Sequence, residues 1–203
     1  MRSTTSTSPR RRPSRCAELE RTFLAVDFDG AFLDEVAALA SRLRGDPRLS
    51  TARWAKPETL HTTLRFFGDT SDAQQRALGD LVVELSSSAK PLSVRAPWVH
   101  GFPAAARANV LVLDVADTDS KLAAMAIRAE AAAVALGFPG EARLYHAHLT
   151  LARMRNPVDV SALAGEAATL PSGHVTSITL YASRSGPSGS VYVPLTRVAW
   201  PVA

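Results

Sequence analysis

Two four-residue stretches constrain this chain more than any other feature. His61–Thr62–Thr63–Leu64 and His148–Leu149–Thr150–Leu151 repeat the pattern His-x-Thr-Leu, 87 residues apart. Both sit in segments, "ETLHTTLRFFG" and "HAHLTLARM", whose β-branched, aromatic and apolar content reads as strand. Each segment also closes a unit of the same grammar. In the first, "RTFLAVDF" (21–28) reads as a buried strand, and Phe32, Val36, Leu39 and Leu43 then recur at helical spacing. In the second, "NVLVLDV" (109–115) is a strand, and the Ala-rich run ending at Gly137 is a helix. Strand–helix–strand occurring twice, each time ending on the tetrad, predicts a duplicated α+β architecture of two lobes.

The rest of the chain fits that frame. "DTSDAQQRALGDLVVELSSS" predicts a capped helix with Leu78, Leu81, Val82 and Leu85 inward. "PLSVRAPWVHGF" predicts a strand interrupted at Pro97, with His100 in a loop before "GFP". "PVDVSALAGEAATL" can form a short helix, and "HVTSITLYAS" and "SVYVPLTRVAW" predict strands around the turn "RSGPSGS". With 203 residues, 46% of them hydrophobic, the chain can bury a substantial core. We assign residues 1–20 to a disordered Arg/Ser/Thr-rich tail and 21–203 to one bilobal domain.

Charge narrows the reading further. The formal net charge of +4 comes entirely from residues 1–21, where six arginines face Glu18 and Glu20. Residues 22–203 carry 17 basic and 17 acidic side chains, so the folded body is balanced. No run of apolar residues approaches a membrane span, and no secretory leader is recognisable. The single Cys16 excludes an internal disulfide framework and a cysteine-rich zinc site. These features predict a cytoplasmic protein without membrane association.

The tetrads carry the chemistry. On a strand, alternate side chains share a face, so His61 and Thr63 point one way and Thr62 and Leu64 the other. The same holds for His148 and Thr150 against Leu149 and Leu151. If the lobes bring these faces together, one site holds two imidazoles and two hydroxyls. One neutral and one charged imidazole suit acid–base chemistry near neutral pH, and hydroxyls suit phosphate oxygens. Phosphodiester cleavage by in-line attack is the chemistry this fits. A third His-x-Thr, "HVTS" at 174–177, lacks the fourth-position Leu and reads as an ordinary strand-edge histidine. His146 shares the His148 face and could suggest metal ligands. No Asp, Glu or Cys in that strand completes a set, so a rim position is expected, with no metal and no other cofactor. Phe66, Phe67 and Tyr145 are aromatic neighbours able to stack on a base, with core packing the expectation for at least one phenylalanine; Phe66 and Tyr145 are the stacking candidates.

Set in "RWAKPETLHTTLRFFGD" and "GFPGEARLYHAHLTLARM", the tetrads resemble the core blocks of the two-histidine (2H) phosphoesterase superfamily. Within it the chain is most similar to the RNA 2',3'-cyclic phosphodiesterases, once studied as 2'-5' RNA ligases. "RTFLAVDF" resembles the family's opening strand. "LYASRSGPSGSVYVPL" resembles its closing hairpin, with Ser183, Gly189 and Tyr192 at the recurring positions. The resemblance spans roughly residues 20–200. It implies two antiparallel sheets lining a central V-shaped cleft, with helices outside. It implies metal-independent hydrolysis of RNA 2',3'-cyclic phosphate ends to 2'-phosphomonoesters, with reversible 2'-5' ligation as a companion activity. His61 is then the proton donor, His148 the proton acceptor, and Thr63, Thr150 and Arg153 the phosphate-binding residues. Plain strand alternation would put Arg153 on the face opposite His148. Ala147 stands where the family commonly has proline, a change that removes no reacting group. The implied partner is an RNA or oligonucleotide carrying a 2',3'-cyclic phosphate end, bound by a monomer. The competing reading is a module that holds a nucleotide or RNA in the same cleft without turning it over.

Overall fold

A computed structural model describes residues 19–87, 89–163, 170–186 and 189–201. In chain order the strands are β1 (Glu20–Phe28), β2 (Arg53–Trp54), β3 (Thr62–Thr70), β4 (Ser93–Arg95), β5 (Val99–Phe102), β6 (Ala108–Asp114), β7 (Ala116–Asp117), β8 (His148–Val158), β9 (Gly173–Gly186) and β10 (Gly189–Ala199). The helices are α1 (Gly30–Leu43), α2 (Asp72–Ser86) and α3 (Lys121–Ala135). Nearly all of residues 1–20, and residues 164–169 of the short helix expected over 157–170, lie outside the described residues; the first part of that stretch is not helical, since Pro157 and Val158 extend β8 and 161–163 form a turn.

Local chemistry sets the element ends. Asp29 caps α1 by accepting from the Phe32 N–H, and Ser71 and Gln74 close a reciprocal capping box on α2. Phe32, Val36, Leu39 and Leu43 are buried on α1, and Leu78, Leu81, Val82 and Leu85 on α2, as their spacing requires. Pro57 begins a 3₁₀ turn over Pro57–Thr59, the chain leaves it through Leu60 in extended backbone, and β3 starts at Thr62 with His61 just ahead of it.

Six antiparallel strands run β5-β6-β8-β3-β1-β9 across the molecule. That order is symmetric about the β3/β8 seam: β3 corresponds to β8, β1 to β6 and β9 to β5. The two predicted sheets are therefore joined, but narrowly, through the single paired position Thr62↔Leu149. These are the second residues of the two tetrads, so a pseudo-two-fold axis passes between the motifs. Continuing the antiparallel register one step each way sets His61 across from Thr150 and Thr63 across from His148.

One face of each half-sheet is apolar. Leu24, Val26, Leu64, Leu111, Leu113, Leu149, Leu151, Ile178 and Leu180 are all nearly inaccessible there, and each contributes roughly 1.5–3 kcal/mol of burial. α3 packs near β3, and α2 packs against β9 and β10. The other face carries Asp27, Ser177, Thr179 and Tyr181 on one side of the seam and His100, Phe102 and Asp114 on the other. His100 is a strand residue of β5, paired with Val112 of β6, and not the loop residue expected from "HGFP". Pro97 and Pro103 flank a strand only four residues long, and that brevity makes it read as a turn.

Candidate active site

The two imidazoles are held by the same device. His61 Nδ1 lies 2.8 Å from the Thr59 carbonyl and His148 Nδ1 lies 2.8 Å from the His146 carbonyl. A carbonyl only accepts, so Nδ1 carries the hydrogen in both rings, and each Nε2 is left without a hydrogen-bond partner among the described residues. In each case the acceptor is two residues upstream, as the pseudo-two-fold relation demands.

Aromatic packing fixes the His61 ring. Phe23 stacks on it at 4.9 Å and Tyr192 meets it edge-on at 5.2 Å. Tyr181 completes this group, 5.3 Å from Phe23 and 6.2 Å from the His61 ring. His148 meets the Phe102 ring at 5.7 Å and the His146 ring at 6.2 Å. Burial is the largest influence on both the His61 and His148 rings and pulls both below the ordinary histidine value. The positive charge of Arg153 pulls each down further, and the charge of His148 is felt at His61, so the three groups lie within electrostatic reach of one another. The Thr59 and His146 carbonyls oppose this, as do Asp27 at His61 and Asp114 at His148.

Thr63 and Thr150 are half-buried on this face, and neither hydroxyl has a hydrogen-bond partner among the described residues. Thr62, inaccessible, donates its hydroxyl across the seam to the His148 carbonyl at 3.1 Å. The fourth-position leucines have an unforeseen role. Leu24 pairs with Arg65 but Ala25 with Thr63, so Leu64 is the extra residue of a β-bulge. Leu111 pairs with Ala152 but Val112 with Thr150, so Leu151 is the matching bulge. A bulge reverses the alternation beyond it. Arg153 therefore returns to the His148 face, opposite to what plain alternation predicts, and Phe66 does the same in the first lobe. Phe66 is 42% exposed, with the Arg21 guanidinium 5.2 Å from its ring centroid.

The other singled-out residues separate cleanly. Phe67 is buried against Phe138. Tyr145 packs against the core with its hydroxyl buried and without a partner among the described residues, so core packing accounts for it. His146 bonds Asp114 at 2.9 Å on the rim. Among the described residues no three His, Cys, Asp or Glu side chains gather closely enough to hold a metal ion. His174 is paired with Ser93 at the β4–β9 edge, away from both tetrads. Ala147 gives its carbonyl to the Val115 N–H at 2.9 Å, a bond that proline would also make.

Sequence reasoning missed one group. Asp27 accepts from Ser177 at 2.6 Å, from Thr179 at 2.8 Å and from the Tyr181 hydroxyl at 2.8 Å. Arg197 lies 3.9 Å from the same carboxylate. Burial, reinforced by Asp27, pushes the Tyr181 phenol up to about 12. The available signal was "SITLY": alternate hydroxyl-bearing positions 177, 179 and 181 in an otherwise apolar strand.

Comparison with known proteins places this geometry. The sequence profile of the LigT like phosphoesterase family matches residues 26–112 and 113–192. An RNA 2',3'-cyclic phosphodiesterase of Methanothermobacter thermautotrophicus is 30% identical over 182 residues, spanning 86% of this chain and 96% of that protein. Among solved structures, Escherichia coli LigT in its apo form superposes with a TM-score of 0.66 at 25% identity, covering 90% of this chain and 98% of that one. TT0787 of Thermus thermophilus shares the fold with a TM-score of 0.73 at 21% identity, covering 89% and 97%. Among the described residues no helix is long and apolar enough to cross a membrane. The duplication legible in the tetrads runs through fold and site, the family profile matches each half in turn, and the chain belongs to the LigT like phosphoesterase family.

Proposed function

We propose that this protein hydrolyses the 2',3'-cyclic phosphate end of RNA to a 2'-phosphomonoester. The observation that carries the reading is the pair of imidazoles with equivalent, carbonyl-fixed Nδ1 atoms, on either side of a seam that also presents two unengaged threonine hydroxyls. His148 Nε2 takes a proton from water as the water oxygen attacks phosphorus. The bond from phosphorus to the 3' oxygen breaks, and His61 Nε2–H protonates that oxygen. Thr63 and Thr150 donate to the non-bridging oxygens, and Arg153 offsets their charge. An RNA 5'-hydroxyl in place of water, with the same proton transfers, gives the 2'-5' ligation. Phe66 is the base-stacking candidate. Both halves of the site come from one chain, which supports a monomer; the cytoplasm is its expected location.

The test is incubation with a 2',3'-cyclic mononucleotide and a cyclic-ended RNA, with and without EDTA, followed by phosphorus NMR. The expected product is the 2'-phosphate, formed equally in both conditions. Absence of product would leave only a binding module. Product lost with EDTA would overturn the metal-free mechanism.

A further inference from the structure

Resting on that reading, we propose that Arg53, beside Arg153, forms a seat for a second phosphate of the RNA strand, the phosphodiester on the 5' side of the terminal nucleoside.

The argument starts from register. β2 pairs with β8 so that Arg53 lies directly across from Arg153, and Trp54 across from Ala152. Directly paired residues share a face. Ala152 is inaccessible and Trp54 packs against the core, where the Arg44 guanidinium covers it at 5.4 Å. Arg53 and Arg153 therefore project from the opposite, cleft-bearing face. Both are exposed, and among the described residues neither has a carboxylate within ion-pair distance. Like charges directly opposite on a sheet are unfavourable, so an unneutralised arginine pair calls for an anion.

The reacting phosphate does not fill that need. A cyclic phosphodiester carries one negative charge, which Arg153 already balances. Distance separates the two positions as well. Arg153 is five positions beyond His148, about 13 Å along a strand rising about 3.3 Å per residue once the bulge is discounted. Arg153 can reach back towards the imidazoles, which sense its charge. Arg53 lies across the ladder at the same distance and is exposed. The guanidinium fork suits the paired oxygens of a phosphodiester. At the corresponding place in the first lobe, Phe66 replaces Arg153, so the two ends of the cleft differ: an aromatic face at one, two guanidiniums at the other.

The seat makes a measurable distinction, because a cyclic mononucleotide has no second phosphate. Arg53→Gln should lower kcat/KM for a four-nucleotide RNA with a cyclic end roughly tenfold more than for the cyclic mononucleotide, through KM. The salt dependence of RNA affinity should lose about 0.7 in log–log slope, the value for one phosphate contact on a single strand. Arg53→Lys should keep that slope. Anisotropy with a labelled four-nucleotide RNA ending in a 2'-phosphate reads the slope without turnover. A lost slope in a protein that hydrolyses nothing would retire the reaction and keep the seat. Hydrolysis with an unchanged slope, or equal losses on both substrates, would retire the seat and keep the reaction.

Discussion

His61 and His148 are the same residue twice by geometry, yet their surroundings differ in ways that matter for proton transfer. His61 is stacked on Phe23 beside a carboxylate, Asp27, whose oxygens are held by Ser177, Thr179 and Tyr181. His148 lies near Asp114, whose carboxylate is bonded to His146. Asp27 favours the charged form of His61, the form a proton donor needs. Activity that requires protonated His61 is lost as pH rises through its pKa; burial lowers that pKa and Asp27 partly offsets the fall, so Asp27 holds the loss at higher pH than burial alone would. Asp27→Asn keeps the shape and removes the charge. It should move the high-pH limb of kcat/KM to lower pH and leave the low-pH limb in place. A pH–rate profile of that variant checks this, and a limb that stays put would remove Asp27 from the positioning of His61.

At the scale of elements, the decisive features are two bulges and one seam. The strands and tetrads were legible because β-branched, aromatic and apolar residues are dense around each histidine. The face of Arg153 was not, because a bulge adds one residue without changing composition, and Leu64 and Leu151 look like any inward leucine. His100 was misread for a related reason: a four-residue strand between prolines offers too few positions for alternation to appear. The Asp27 cluster was hidden by separation, since its hydroxyl partners lie about 150 positions along the chain. The seam rests on one ladder pair and on the Thr62 hydroxyl bonded to the His148 carbonyl. Thr62→Val keeps the packing and loses that bond. The expected result is a destabilisation of about 1 kcal/mol with a clear fall in kcat. Denaturant unfolding alongside steady-state kinetics separates the two effects, and an unchanged kcat would mean the seam does not position His148.

At the scale of the whole molecule, duplication is not independence. β9, from the second half of the chain, completes the first lobe beside β1, and β5, from the first half, completes the second lobe beside β6. Neither half of the sequence contains a whole lobe, so the two lobes should unfold together. Thermal unfolding should give one transition by calorimetry and circular dichroism alike, and two resolved transitions would contradict the strand exchange. The same exchange is what places an imidazole from each tetrad on either side of the seam. The central claim is that these two imidazoles divide the proton transfers between them, and the direct test is the pH–rate profile of cyclic phosphate hydrolysis by His61→Ala and His148→Ala. Each should lower kcat by about 10²–10⁴-fold. His61→Ala should flatten the high-pH limb and His148→Ala the low-pH limb. Turnover surviving either substitution in a folded protein, or both variants losing the same limb, would contradict the account.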